Sequence, residues 1–145
     1  MANAFVLRDC KVAIDSVDLS DHVREVTVAL TADDVDVTAM GAGGHQHLAG
    51  IRNDSFTLTM YSDFASAKVH ATINPKFIAA GTVAVEVIPS GSTIGTANPR
   101  FRGYCPVLTY TPVGGAVGDA AMTPIELPVN GTVTVDTAGT FLTLP

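Results

Sequence analysis

Apolar and polar residues alternate one for one along several stretches of this chain, and that period of two restricts its fold more than any other feature. Val26, Val28 and Leu30 alternate with Glu25, Thr27 and Ala29, and Phe56, Leu58 and Met60 with Ser55, Thr57 and Thr59. A strand sends successive side chains to opposite faces, so each stretch makes one wet face and one dry face. The period recurs at Val83, Val85 and Val87, over 5–14, over 101–110, and over 125–135 around the turn dipeptide Asn130-Gly131. About seven strands follow, in a mainly β protein of β-sandwich or barrel type. Pro106, Pro124 and Pro128 interrupt good strand patterns. Proline has no N–H to donate to a ladder, so those positions belong to edges, bulges or bent ends.

One segment breaks the alternation. Asp63 can cap an alanine-rich run over 64–71, which predicts a short helix. Asn74-Pro75 should end it near Ile73, with one further turn through Ile78 before Gly81. Phe64, Ala71 and Phe77 are its expected contacts with the sheet. Between strands, residues 38–53 read as a long glycine-rich loop. Such a loop in a compact domain is functional or disordered, and Met40, Leu48 and Ile51 give it something to bury against a partner. No repeat or linker divides the 145 residues, so a single domain over 1–145 is expected.

Composition narrows the function. Hydrophobic residues make up 47% and charged ones only 15%, which leaves apolar surface to be covered between subunits. A net charge of −6 disfavours gathering nucleic acid phosphates. The start, Met1-Ala2-Asn3-Ala4-Phe5, lacks the basic-then-apolar layout of a secretory signal, and no apolar run is long enough for a membrane helix, so assembly in the cytoplasm is expected. Cys10 and Cys105 then read as buried thiols rather than a disulfide framework.

Catalytic patterns are weak. His45 and His47 could point the same way in an extended chain, which is half a metal site, but no third ligand has the right spacing. Asp33, Asp34 and Asp36 lack the glycine and the terminal glutamate of a calcium loop, and read as a solvated turn. Ser20, His22 and Asp15 or Asp21 are the residue types of a nucleophilic triad, without the strained elbow or oxyanion nest that one needs. The glycine-rich stretch 114–119 has no following Lys-Ser and reads as a hairpin tip. No enzyme, cofactor or metal is expected.

Three runs point elsewhere: 14–23, Ile-Asp-Ser-Val-Asp-Leu-Ser-Asp-His-Val; 33–41, Asp-Asp-Val-Asp-Val-Thr-Ala-Met-Gly; and 53–63, Asn-Asp-Ser-Phe-Thr-Leu-Thr-Met-Tyr-Ser-Asp. With the order of elements around them, the chain resembles the major tail tube proteins of long-tailed, non-contractile bacteriophages. The resemblance implies a virion structural protein, made in the host cytoplasm, that closes into six-membered rings stacked as the tail tube. It implies tape measure and tail terminator proteins as partners, and DNA that passes through the lumen without specific binding. On that reading Thr38, Met40, Gly41, His45, His47, Leu48 and Ile51 are candidate contacts between rings, and Glu25, Thr27, Thr57 and Thr59 are candidate lumen residues. The sequence leaves open a head–tail joining or capsid decoration protein, and a small ligand- or carbohydrate-binding β-sandwich.

Overall fold

The alternating stretches become two facing sheets in a computed structural model, which describes residues 4–142; Met1, Ala2 and Asn3 of the N-terminal run lie outside the described residues. In chain order the elements are β1 (Lys11–Ile14), β2 (Val17–Asp18), β3 (Val23–Ala29), β4 (Ala32–Asp36), β5 (His47–Arg52), β6 (Ser55–Tyr61), α1 (Val69–Ile78), β7 (Thr82–Ile88), β8 (Arg100–Pro106), β9 (Met122–Pro128) and β10 (Thr134–Asp136). One sheet has five strands in the order β10-β8-β7-β1-β2, and the facing sheet has three, β3-β6-β9. The remaining pair, β4-β5, is a sheet of its own. Every pairing among the described strands is antiparallel.

The core lies between the two larger sheets. Val12, Ile14, Val83, Val85 and Cys105 come from one side and Phe56, Leu58, Met60, Ile125 and Leu127 from the other, all buried. Each such aliphatic or aromatic side chain contributes about 1.5–3 kcal/mol when fully covered. Gly103 makes the closest approach possible: a Cβ there would stand 3.1 Å from Val129 and 3.2 Å from the Phe56 ring. Pro124 and Pro128 lie on β9, an edge strand, and Pro106 ends β8, as an absent donor requires.

Four sequence-based expectations change. The described residues hold ten strands rather than about seven, because β2, β4, β5 and β10 are short or lie where a loop was expected. Of the stretch 5–14 only Lys11–Ile14 is strand. Asn130-Gly131 does not join a hairpin: β9 and β10 belong to different sheets, and the connection is held by Val129 N donating to Asp54 O (2.9 Å) and Asn130 N to Tyr104 O (2.7 Å). Residues 38–53 are not one loop, since His47–Arg52 pair with Ala32–Asp36. Alternation fixes which faces a strand presents but not which strand it joins.

The helix also shifts. Asp63 Oδ1 accepts the Ala65 amide (2.9 Å) in a local turn, and Ala67 sits at φ +58°, so the helix cannot continue through it. Helix α1 starts at Val69 and runs past Pro75. Interior proline costs about 3 kcal/mol. Val69 and Ile73, both in the core, offset that cost, and Thr72 is buried beside them. Phe64, Ala71 and Phe77 face outward instead.

Candidate functional site

On the three-stranded sheet the register brings the four candidate lumen residues together. Glu25 pairs with Thr59 and Thr27 with Thr57, while Val26 and Val28 oppose Leu58 and Phe56 on the other face. The adjacent strand adds Glu126 opposite Thr57 and Pro124 opposite Thr59. Glu25, Thr27, Thr57 and Glu126 are exposed and Thr59 is half-buried. Sequence reasoning missed Glu126, although alternation in Thr123, Ile125 and Leu127 places it outward. A bulge between Val23 and Glu25 inserts Arg24 at the end of this face, where its Nη1 donates to Met122 Sδ at 3.6 Å. The result is a hydrated wall of hydroxyls and carboxylates.

The second surface is the β4-β5 arm. Val35 pairs with Leu48, and Asp36 with His47. Strand alternation puts Val35 and Leu48 on one face of the arm and Asp34, Asp36 and His47 on the other. The polar face is stitched together by His47 Nδ1 donating to Asp34 Oδ1 (2.8 Å) and by His45 Nδ1 standing 3.4 Å from Asp36 Oδ2. Thr38 builds the tip: its amide donates to Asp36 Oδ1 (2.9 Å), and its Oγ1 accepts the Gln46 amide (2.9 Å). The Thr38 hydroxyl also donates to Asp36 Oδ1, and this bond first, then the Thr38 amide, holds the Asp36 carboxyl below its usual value. Gly41 turns the tip at φ +85°, beside Met40.

Of the seven candidate contacts, Thr38, Gly41, His45 and His47 thus shape the arm. Met40, Leu48 and Ile51 are what it exposes. Met40 is fully exposed, Ile51 is 80% and Leu48 60% exposed, and Val35 and Val37 add to them. A methyl at Gly50 would meet Val35 Cγ2 at 3.0 Å, so the strands of the arm touch there.

Asp54 roots the arm in the body, and sequence reasoning gave it no role. Its fully buried carboxylate accepts the Thr31 amide (3.1 Å), the Val133 amide (2.9 Å) and Arg52 Nη2 (2.5 Å). Thr31 precedes β4, Arg52 ends β5, and Val133 leads into β10. Burial pushes this carboxyl up, but the Val133 amide, Arg52 and the Thr31 amide outweigh it and hold the group below the usual carboxylate value. An aspartate immediately before the alternating run 55–61 was the available signal.

The catalytic patterns dissolve into structural ones. Ser20 Oγ donates to Asp18 Oδ1 (2.5 Å) and accepts the Val12 amide (3.0 Å). His22 lies elsewhere, its Nδ1 at 2.7 Å from Asp21 and its Nε2 at 2.7 Å from Asp63. Two carboxylates can both be satisfied only by an imidazolium with two N–H donors. Burial lowers the His22 pKa, yet Asp63 and Asp21 raise it by more, so it ends above the usual value. His45 and His47 share a side, with ring centroids 6.3 Å apart, but among the described residues no group of three or more His, Cys, Asp or Glu could hold a metal ion. Burial pushes the Cys105 thiol up to about 12, and Cys10 is half-buried outside any strand.

No protein-family model and no curated protein matches the sequence. Solved structures do match in fold. A chain of the virion of a native gene transfer agent particle aligns at TM-score 0.70 with 16% identity, over 91% of this chain and 98% of that one. A chain of the SPP1 tail tube aligns at TM-score 0.73 with 15% identity, over 92% and 80%. A chain of the tail of an empty gene transfer agent particle, with C6 symmetry, aligns at 0.62 with 16% identity, over 78% and 81%. This chain therefore has the mainly β fold found in tail tubes.

Proposed function

We propose that this chain is a structural subunit of a phage-type tail tube, acting as one tail-tube-like domain of a virion tail and not as an enzyme. Copies close into rings, by our reading of six, and the rings stack into a conduit for DNA. The observation that carries this reading is the arm. An entire β-hairpin stands in water with Val35, Val37, Met40, Leu48 and Ile51 uncovered, and only Gly50 among the β4 and β5 residues is even half-buried. A surface of that kind in a 145-residue chain needs a complement, and the fold likeness supports an identical copy as the supplier.

The three-stranded sheet supports the same reading. Its edge strands, β3 and β9, pair with no further strand among the described residues, and pairing with neighbours would satisfy their backbone groups. Its outer face, with Glu25, Thr27, Thr57, Thr59 and Glu126, then lines the channel, where carboxylates keep DNA from adhering. Tape measure protein inside the channel and a terminator at its end are the partners this role requires.

Negative-stain electron microscopy of the concentrated protein tests the reading. Filaments or stacked rings are expected from the intact chain, and folded, non-polymerising subunits from a variant lacking residues 37–46. A chain that stays monomeric at every concentration, or a deletion that still forms normal tubes, would overturn it. In phage, Glu25→Lys should slow DNA ejection while tubes still form.

A further inference from the structure

A cleft of about 190 Å³ between the N-terminal segment and the outer edge of β3 has Leu7, Arg8, Cys10, Val23, Arg24 and Glu25 among its lining residues. Its cations are not in ion pairs, although Arg24 Nη1 donates to the weak thioether acceptor of Met122. Arg52, Lys76, Arg100 and Arg102 are all in ion pairs, whereas Arg8 and Arg24, like Lys11 and Lys68, form none among the described residues. Leu7 is 55% exposed, and two arginines against the one glutamate make the cleft net positive as well as apolar.

The arm carries the opposite pattern. Asp34 and Asp36 have histidine partners on its polar face. Asp33 has no ion pair among the described residues, and alternation places it on the other face with Val35 and Leu48. That face therefore presents two uncovered aliphatic side chains and one uncommitted carboxylate. The cleft, for its part, lies along an accessible edge, since among the described residues β3 pairs only with β6, and its sequence has no proline.

We propose that the Asp33, Val35 and Leu48 face of one copy's arm docks into the Arg8 and Arg24 cleft of a second copy. Val35 and Leu48 cover Leu7 and Val23, and Asp33 pairs with the two guanidinium groups, in competition with Glu25 and, for Arg24, with Met122. The proposal rests on the self-assembly reading above and adds the receiving surface and its chemistry. Opposite charge gives such a contact its register and its sensitivity to salt.

The test is a charge swap in the full-length chain, read by sedimentation and electron microscopy, with urea unfolding as the folding control. Arg8→Glu with Arg24→Glu, or Asp33→Arg alone, should raise the concentration needed for assembly about tenfold or more without moving the unfolding midpoint. The three substitutions together should restore assembly. Under diamide, Leu48→Cys should give a cross-linked dimer that disappears when Cys10→Ser is added. Normal assembly of the Arg8→Glu, Arg24→Glu variant, no recovery in the triple variant, or a cross-link that survives loss of Cys10 would overturn the docking while leaving tube formation intact. An unmodified chain that never assembles would overturn the self-assembly reading and the docking with it.

Discussion

The chain contains the same valine–leucine cross-strand pair in two places, and the two have opposite fates. Val26 opposes Leu58 between β3 and β6, and Val35 opposes Leu48 between β4 and β5. Leu58 is 0% exposed and Leu48 is 60% exposed. Local geometry is the same, antiparallel and alternating, so the difference lies in what stands over the pair. A facing sheet covers the first, and water covers the second. A β pattern specifies a strand and its faces, and a second layer must be supplied from elsewhere before those faces stabilise anything.

Substitutions can break or sharpen that contrast. Leu58→Ala should have the largest effect, a loss of about 2–5 kcal/mol from the missing methyl groups and the cavity they leave, read as a lower urea midpoint. Asp54→Ala comes next, at about 3 kcal/mol, because it leaves the buried Val133 amide, and the Thr31 amide with it, without an acceptor. Amide exchange should then speed up over the whole arm, while the β6 to β9 ladder keeps its protection.

His22→Gln should cost about 1–2 kcal/mol, from two lost charge-assisted hydrogen bonds. The pH dependence follows from the raised pKa. A group with a raised folded-state value stabilises fully below its ordinary value of 6.5 and loses that stabilisation as pH rises through the folded value. Asp21 and Asp63 are lowered, Asp21 chiefly by its bond to His22 and Asp63 chiefly by the Ala65 amide, so their share is lost on acidification below their ordinary value of 3.8. Unfolding of the intact protein should therefore become easier above about pH 6.5, and this slope should vanish in His22→Gln. Leu48→Ala sits at the other extreme: under about 0.5 kcal/mol in the isolated subunit, with its effect confined to assembly. A large loss of subunit stability there would show that the arm is packed in the free chain.

Much of the body was legible in the sequence because a half-buried strand writes its burial into every second residue. Phe56, Leu58 and Met60 inside, with Thr57 and Thr59 outside, could be read directly, and the register then brought Glu25 and Thr27 alongside them. The arm was legible only as a segment with something to bury. Its glycines and short strand His47–Arg52 hid a hairpin, since Gly50 and the bulge beside it interrupt the alternation. The helix was misplaced for a related reason. Alanine content and an aspartate cap described local preference over 64–71, while the core selected Val69 and Ile73 and carried the helix across Pro75.

By itself, then, the order of residues determined that this is a strand protein with wet and dry faces, which residues lie on each, and where proline forbids an interior position. These follow from the backbone of a few neighbouring residues. Only the tertiary structure decided that β9 and β10 part into different sheets, that Asp54 joins three distant segments, and that the Val35 and Leu48 pair is left uncovered. Those depend on contacts between residues far apart in the chain, where many arrangements share the same local pattern and burial chooses among them.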